Sequence, residues 1–194
     1  MAKKSFKGGT LLAPLPPAMV SCGDMENSNI ITIGWTGILN SNPPVTYISV
    51  RPSRHSYAII KEKREFVINL TSEELARAAD YCGIFTGAKV DKFEKCNLTK
   101  EEATQVSCPM IAEAPVSIEC RVRDIVPLGT HDVFVADILA VNVADEFVDE
   151  SGKIRMDNAH LAAYAHGEYF ALGRKLGSFG FSAAKKKKRR PQKK

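Results

Sequence analysis

A β-barrel elaborated by a few helices is the architecture expected of this 194-residue chain. Short β-branched runs bounded by turn residues recur along it, one segment alternates apolar and charged residues, and only two stretches carry helical spacing. Many strands with two or three inserted helices argue for a mainly β domain and against alternating βαβ units.

In chain order, residues 19–23 and 30–36 are β-rich. They flank the polar loop Asp24-Met25-Glu26-Asn27-Ser28-Asn29, which reads as a hairpin or a turn between neighbouring strands. Asn42-Pro43-Pro44 forces extended, non-helical backbone ahead of a strand at 45–50. A helix starts near Ser53 and carries Tyr57, Ile59 and Ile60 before the charged run 61–65, and residues 66–70 form a further short strand. A second helix starts at Thr71, where Thr71 and Glu74 have the spacing of a capping box and Leu75, Ala78, Ala79 and Cys82 share one face. In residues 118–123 every second side chain is apolar, so Glu119, Arg121 and Arg123 are expected to face water or a polar cleft. After the Pro127-Leu128-Gly129 turn, residues 133–143 are almost continuously apolar, as in a strand covered by barrel interior on one side and a subunit partner on the other.

Composition narrows the function. No apolar run approaches the roughly 20 residues that cross a bilayer. Gly8-Gly9-Thr10 follows the basic N-terminal residues where a secretory signal would carry its apolar core, so the cytoplasm is the expected location. Cys22, Cys82, Cys96, Cys108 and Cys120 are widely spaced and odd in number, which predicts free thiols rather than a disulfide framework or a zinc ribbon. The four histidines include no H-E-x-x-H, and no metal-ligand cluster is recognisable. Of the 27 basic residues eight lie beyond residue 184, so residues 1–182 hold 19 basic against 22 acidic residues, a net charge of −3. The expected organisation is one domain over residues 1–182 and a disordered basic tail over 183–194. Such a tail reads as a solubilising extension in preference to a contact with nucleic acid.

No G-x-G-x-x-G follows a strand and no G-x-x-x-x-G-K-[ST] occurs, so a nucleotide cofactor would bind without a Rossmann site or a P-loop. Arg51-Pro52-Ser53-Arg54-His55-Ser56 lies where a strand gives way to a helix, which brings amide N–H groups, hydroxyls and two guanidinium groups together. That stretch reads equally as a phosphate cradle and as a helix cap with two solvated arginines. In the run from Asn29 to Gly37, Thr32 and Thr36 alternate with apolar residues around Gly34 and Trp35, a surface that a planar heteroaromatic ring would fit; Trp35 alone reads as a core or interface residue.

The succession Asn29-x-x-Thr32-x-x-Trp35-Thr36, Asn42-Pro43-Pro44, Ser49-Val50-Arg51-Pro52-Ser53-Arg54-His55-Ser56-Tyr57 and Phe66-Val67-Ile68-Asn69-Leu70 opens a longer series. It continues with Asp80-Tyr81-Cys82-Gly83, Thr86-Gly87, Asp91-Lys92-Phe93, Ile118-Glu119-Cys120 and Gly129-Thr130-His131-Asp132. In that order these motifs resemble the flavin reductase-like family of FMN-binding split β-barrels, Greek-key in type. The ending around Phe170-Ala171-Leu172-Gly173 and Gly177-Ser178-Phe179-Gly180-Phe181 looks like the flavoredoxin branch.

The resemblance implies an oxidoreductase working as a homodimer with FMN near the subunit interface. It implies electrons taken from NAD(P)H or a redox partner and passed to free flavin or a protein acceptor. By position, Asn29, Thr32, Trp35 and Thr36 match the flavin-facing strand, and Ser49, Val50, Arg51, Ser53 and Arg54 match the phosphate-binding loop. Cys82, Thr86, Gly87, Lys92 and Phe93 match the segment that closes over the cofactor, with Lys92 either a point charge for the phosphate or an exposed helix residue. Thr86-Gly87-Ala88-Lys89 stands where many relatives have Ser-Gly-Arg, a departure that allows the phosphate contacts to be redistributed. His131 matches a position on the nicotinamide side and reads equally as a turn residue bonded to Asp132; no catalytic acid or nucleophile is expected. Among the thiols only Cys82, near Lys89 and Lys92, hints at a lowered pKa. The alternative function is a non-catalytic barrel that uses its basic tail on nucleic acid or anionic surfaces.

Overall fold

A computed structural model of the chain describes residues 1–183. The expected tail, apart from Ala183, lies outside the described residues. The strands of the main sheet are β1 (Ala18–Gly23), β2 (Ser28–Ile33), β3 (Thr36–Ser41), β4 (Pro44–Val50), β5 (Glu65–Asn69), β8 (Val116–Pro127) and β9 (Asp132–Val143). Helix α1 (His55–Lys63) joins β4 to β5. Between β5 and β8 run α2 (Ala76–Ile84), α3 (Lys92–Lys95) and the short pair β6 (Lys100–Glu101) and β7 (Met110–Ile111), while β10 (Ala162–Ala165) and β11 (Glu168–Ala171) form a C-terminal hairpin. None of these helices is long and apolar enough to cross a membrane.

All seven strands of the main sheet pair antiparallel, in the order β2-β1-β5-β8-β9-β4-β3. The two edge strands, β2 and β3, are separated in sequence only by Gly34 and Trp35. A sheet whose opposite edges are tied by two residues has to curl until those edges meet, so the connectivity itself closes the barrel. Residues 30–36, expected as one strand, therefore break at Gly34-Trp35, where the chain passes from one edge of the sheet to the other. The Trp35 carbonyl accepts from the Ser49 N–H at 3.0 Å and holds this corner to β4.

The barrel interior is filled from alternate positions of the strands: Val20 and Cys22, Ile31 and Ile33, Ile48 and Val50, Phe66 and Ile68, Cys120 and Val122, Phe134 and Ala136. Ile60 of α1 packs on the same cluster. The outer face of β1 and β2 is covered by Leu75, Ala79 and Cys82 of the second helical segment and by Phe93, which is why β1 is buried on both sides. The helical face read from the sequence is thus the one that packs. Its capping box does not form: the Thr71 hydroxyl donates to the Pro17 carbonyl, and α2 begins at Ala76 with no side-chain cap. The helix starts too far along the chain for Thr71 to stand at its N-cap, and the nearest side-chain contact at its entry is the Leu75 N–H donating to the Ser72 hydroxyl at 3.4 Å.

Glu119 lies on the face opposite Cys120 and Val122 of the barrel interior, in a polar setting closed to water. The residue is fully buried, and its carboxylate accepts from the Thr104 and Gln105 N–H groups at 2.9 and 2.5 Å and from the Asn142 amide at 2.8 Å. Burial pushes this carboxyl up, but those donors outweigh it and hold it below its ordinary value. Arg121 and Arg123 do face outward, paired with Glu65 and Asp137. Strand β9 buries Phe134 and Ala136 in the barrel interior and packs Leu139 on Val67, Val106, Cys108 and Met110; its other side chains in this single chain are half-buried, and Val141 is exposed.

Candidate functional site

The corner where the sheet closes opens a cleft of about 280 Å³. One wall is the end of β2, with Ile31, Thr32 and Ile33, and the floor is Gly34-Trp35. The opposite wall is the end of β4, with Ser49, Val50 and Arg51, and Arg54, Gly83, His131, Leu15 and Tyr164 complete the rim. A Cβ added at Gly34 would meet only the Leu15 side chain, at 3.6 Å, so the volume in front of this glycine belongs to the cleft.

The charged end is built by the turn from β4 into α1. The Arg54 N–H donates to the Arg51 carbonyl at 3.0 Å, which brings both arginines to one rim. Helix α1 begins there with no side-chain cap and no acidic residue in its first turn, so its N-terminal partial positive charge adds to the two guanidinium groups. Among the described residues no carboxylate lines this compartment. Arg54 is aimed by a bond from its Nη2 to the Gly83 carbonyl.

Arg51 Nε donates to His131 Nε2 at 3.3 Å, which leaves Nδ1 to carry the ring proton and donate to the Thr130 hydroxyl at 3.0 Å. Burial and the neighbouring Arg51 charge both push the His131 pKa down, so the ring is neutral at pH 7. Its ring lies 4.6 Å from that of Trp35, tilted by 43°. The bond to Asp132 read from the sequence does not form; Asp132 accepts from the Tyr57 hydroxyl at 2.6 Å instead.

A second compartment of about 300 Å³ shares Thr32, Gly34, Gly83 and Tyr164 with the first and adds Asp80, Ile84 and Tyr169. Burial, then the Asp80 charge, push the Tyr169 phenol up to about 12, so it remains a hydroxyl donor at any physiological pH. Arginine at one end and a phenol with a carboxylate at the other make the joined cleft electrostatically polarised. Its geometry suits an elongated ligand with an anionic head and a flat, neutral body.

Of the residues singled out from sequence, Thr32, Trp35, Ser49, Val50, Arg51, Arg54 and His131 line this cleft. Asn29, Thr36, Ser53, Cys82, Thr86, Gly87, Lys92 and Phe93 are not among its lining residues. The Thr36 hydroxyl donates to the Tyr47 carbonyl at 2.6 Å, and Ser53 and Thr86 are exposed on turns. Lys92 is neither exposed nor free: it is 3% exposed, and its ammonium donates to the carbonyls of Ile30 at 2.5 Å and Cys82 at 2.8 Å. Phe93 is buried beside it. The buried Asn29 amide donates to the Ser56 hydroxyl at 2.8 Å, and Gly87 packs so closely on it that an added Cβ would lie 2.1 Å from its Oδ1. The Cys82 thiol is pushed up to about 12, by burial first and then by Cys96, against the lowering expected from nearby lysines.

Sequence reading passed over Leu15, Tyr164 and Tyr169, and quoted Asp80 and Gly83 within a motif without giving them a place in the site. Leu15 and Tyr164 exchange two backbone hydrogen bonds of 2.8 Å, which pins the N-terminal segment to the C-terminal hairpin at the cleft mouth. Residues so far apart in the chain leave no local pattern that would have joined them.

The family model of the flavin reductase like domain matches residues 11–173 of the chain. The chain belongs to that family. It is 36% identical over 138 residues to an uncharacterised protein of Archaeoglobus fulgidus, covering 71% of this chain and 77% of that protein. Its fold superposes on flavoredoxin of Desulfovibrio vulgaris (Miyazaki F) with a TM-score of 0.87 and 30% identity, over 94% of this chain and all of that one. A Shewanella frigidimarina protein described as having a split barrel domain superposes with a TM-score of 0.76 at 20% identity, over 86% of this chain and 85% of that one. The mainly β split barrel expected from the sequence is therefore the fold of this flavin reductase-like chain.

Proposed function

We propose that this flavin reductase-like protein binds FMN in the cleft at the β2–β3 corner and works as an oxidoreductase. It takes electrons from NAD(P)H or a reduced redox partner and delivers them to free flavin or a protein acceptor. The observation that carries the reading is the turn after β4, which sets Arg51 and Arg54 beside the uncapped start of α1 at the end of a cleft floored by Gly34-Trp35. That donor set fits a phosphate dianion, because two guanidinium groups and a helix N-terminus meet it and no carboxylate of the described residues opposes them in the compartment.

Bound flavin would supply the redox chemistry, accepting and releasing electrons on its ring. The chain's own part is positional. Arg51 and Arg54 hold the anionic head, with Arg54 kept in place by the Gly83 carbonyl and Arg51 by the neutral His131. The Thr32, Ile33 and Gly34 backbone offers a flat edge without protruding side chains, and the Trp35 and His131 rings wall one side. No side chain is required as an acid or a base.

The protein is expected to act as a homodimer. Trp35, Ile38 and Leu39 near the β3 edge and Leu128 in the β8–β9 turn leave apolar side chains exposed, as does Val141 at the far end of β9. A second copy would cover these side chains and the half-buried part of β9. Sedimentation at micromolar concentration should give twice the chain mass.

The deciding experiment is the visible spectrum of the purified protein before and after anaerobic addition of NADH or NADPH. A flavin spectrum that bleaches with nicotinamide identifies a reductase, and one that bleaches only with a reduced protein identifies an electron carrier. A colourless protein that takes up no added FMN ends the proposal.

A further inference from the structure

Behind the cleft wall two thiols face each other. Cys82, in the last part of α2, has its Sγ 4.0 Å from the Sγ of Cys96, the residue that ends α3. Cys82 is fully buried, whereas Cys96 is partly open to solvent. The other three cysteines lie in different parts of the core, Cys22 and Cys120 inside the barrel and Cys108 beneath the segment before β7. A separation of 4.0 Å is non-bonded, and closing it to a disulfide needs a shift of about 2 Å. Cys96 stands at a helix end followed by a turn, where the backbone can supply that shift.

The two sulfurs are also unequal in a useful sense. Burial raises both thiols, the fully buried Cys82 further to about 12, and at Cys96 an S–H from Cys82 and the Lys92 charge can both favour a thiolate. Cys96 is then the thiol that ionises first and can be reached, and Cys82 is the one placed to resolve what forms on it.

We propose that Cys82 and Cys96 form a reversible dithiol–disulfide switch that fastens α2 to the end of α3 when the protein meets a disulfide oxidant such as oxidised glutathione. The Cys96 thiolate attacks one oxidant sulfur, forming a mixed disulfide and releasing one glutathione thiolate. The Cys82 thiolate, its proton lost to solvent, then attacks Cys96 Sγ and releases the second glutathione. One oxidised glutathione is consumed, two reduced glutathiones leave, and one protein disulfide is made.

The bridge would close a loop between residues 14 apart in sequence. That loop carries Gly83, whose carbonyl orients Arg54, and Gly87, which packs on Asn29. Oxidation therefore restrains the segment that backs the cleft, and the switch does not depend on whether FMN is the ligand.

The test treats the full-length, flavin-free protein with graded ratios of oxidised to reduced glutathione, traps remaining thiols by alkylation, and maps non-reduced peptides by mass spectrometry. The expected result is a linked Cys82–Cys96 peptide, an intact mass lower by two hydrogens, reversal by dithiothreitol, and a Tm higher by on the order of 5–10 °C in the oxidised form. In C82S, Cys96 should accumulate as the glutathione mixed disulfide; in C96S the bridge should vanish while Cys82 stays unmodified. Because the wild-type mapping needs no variant, a C82S chain that fails to fold leaves the test intact. Persistence of both thiols under strongly oxidising ratios, or a bridge made by any other pair, would overturn the proposal.

Discussion

Two segments that sequence reading assigns to one ligand, residues 49–54 and residues 82–93, use their cationic side chains in opposite ways. In the first, Arg51 and Arg54 stand at the rim of the cleft, lightly held by His131 and by the Gly83 carbonyl. In the second, Lys92 is buried with its ammonium tied to two carbonyls, and Cys82 and Phe93 are packed under β2. One segment faces the ligand space and the other carries the wall behind it. A basic residue in a binding motif is therefore assigned to ligand or scaffold by its burial and its existing partners.

The sharpest way to break this division is Lys92→Ala. It leaves the Ile30 and Cys82 carbonyls without their donor in a closed site and should lower unfolding free energy by about 3 kcal/mol, read from urea denaturation. A variant as stable as the parent would place Lys92 with the ligand after all. Next in size, Arg51→Ala should weaken FMN binding about 10- to 100-fold in equilibrium titration, the value of one charge-assisted contact, while the urea midpoint stays unchanged.

Gly87→Ala sharpens the contrast within the second segment. The added methyl displaces the Asn29 amide from Ser56, at a cost of about 1 kcal/mol in the same denaturation assay. The smallest effect concerns His131. Burial and Arg51 favour its neutral form, so the stability this gives is present above the ordinary imidazole value of 6.5 and is lost as pH falls through the lower folded value. An NMR titration of the His131 ring should have its midpoint below 6.5, and Arg51→Ala should move that midpoint upward.

Most of the fold was legible because its strands are written locally. β-branched runs place β4, β5, β8 and β9, and Leu75, Ala79 and Cys82 declare the buried face of α2. The features that escaped are those decided by distant partners. The break at Gly34-Trp35 follows from sheet closure, and residues 30–36 still have the composition of one strand. Glu119 is covered on the outer face because Thr104, Gln105 and Asn142 converge on it, and α2 starts at Ala76, beyond the reach of a Thr71 cap. At the site, the arginine turn could be read from Arg51 to Arg54, whereas Tyr164 and Tyr169 reach the cleft through pairings of the C-terminal hairpin with Leu15 and with residues 71–73, far away in the chain.

The most direct measurement is a titration of the flavin-free protein with FMN, followed by the emission of Trp35, the only tryptophan in the chain. Binding at the β2–β3 corner should quench that emission to saturation at one FMN per chain, with Arg51→Ala shifting the curve to higher concentration. FMN binding that left Trp35 emission untouched would put the flavin elsewhere on the molecule, and no binding at all would remove FMN as the ligand.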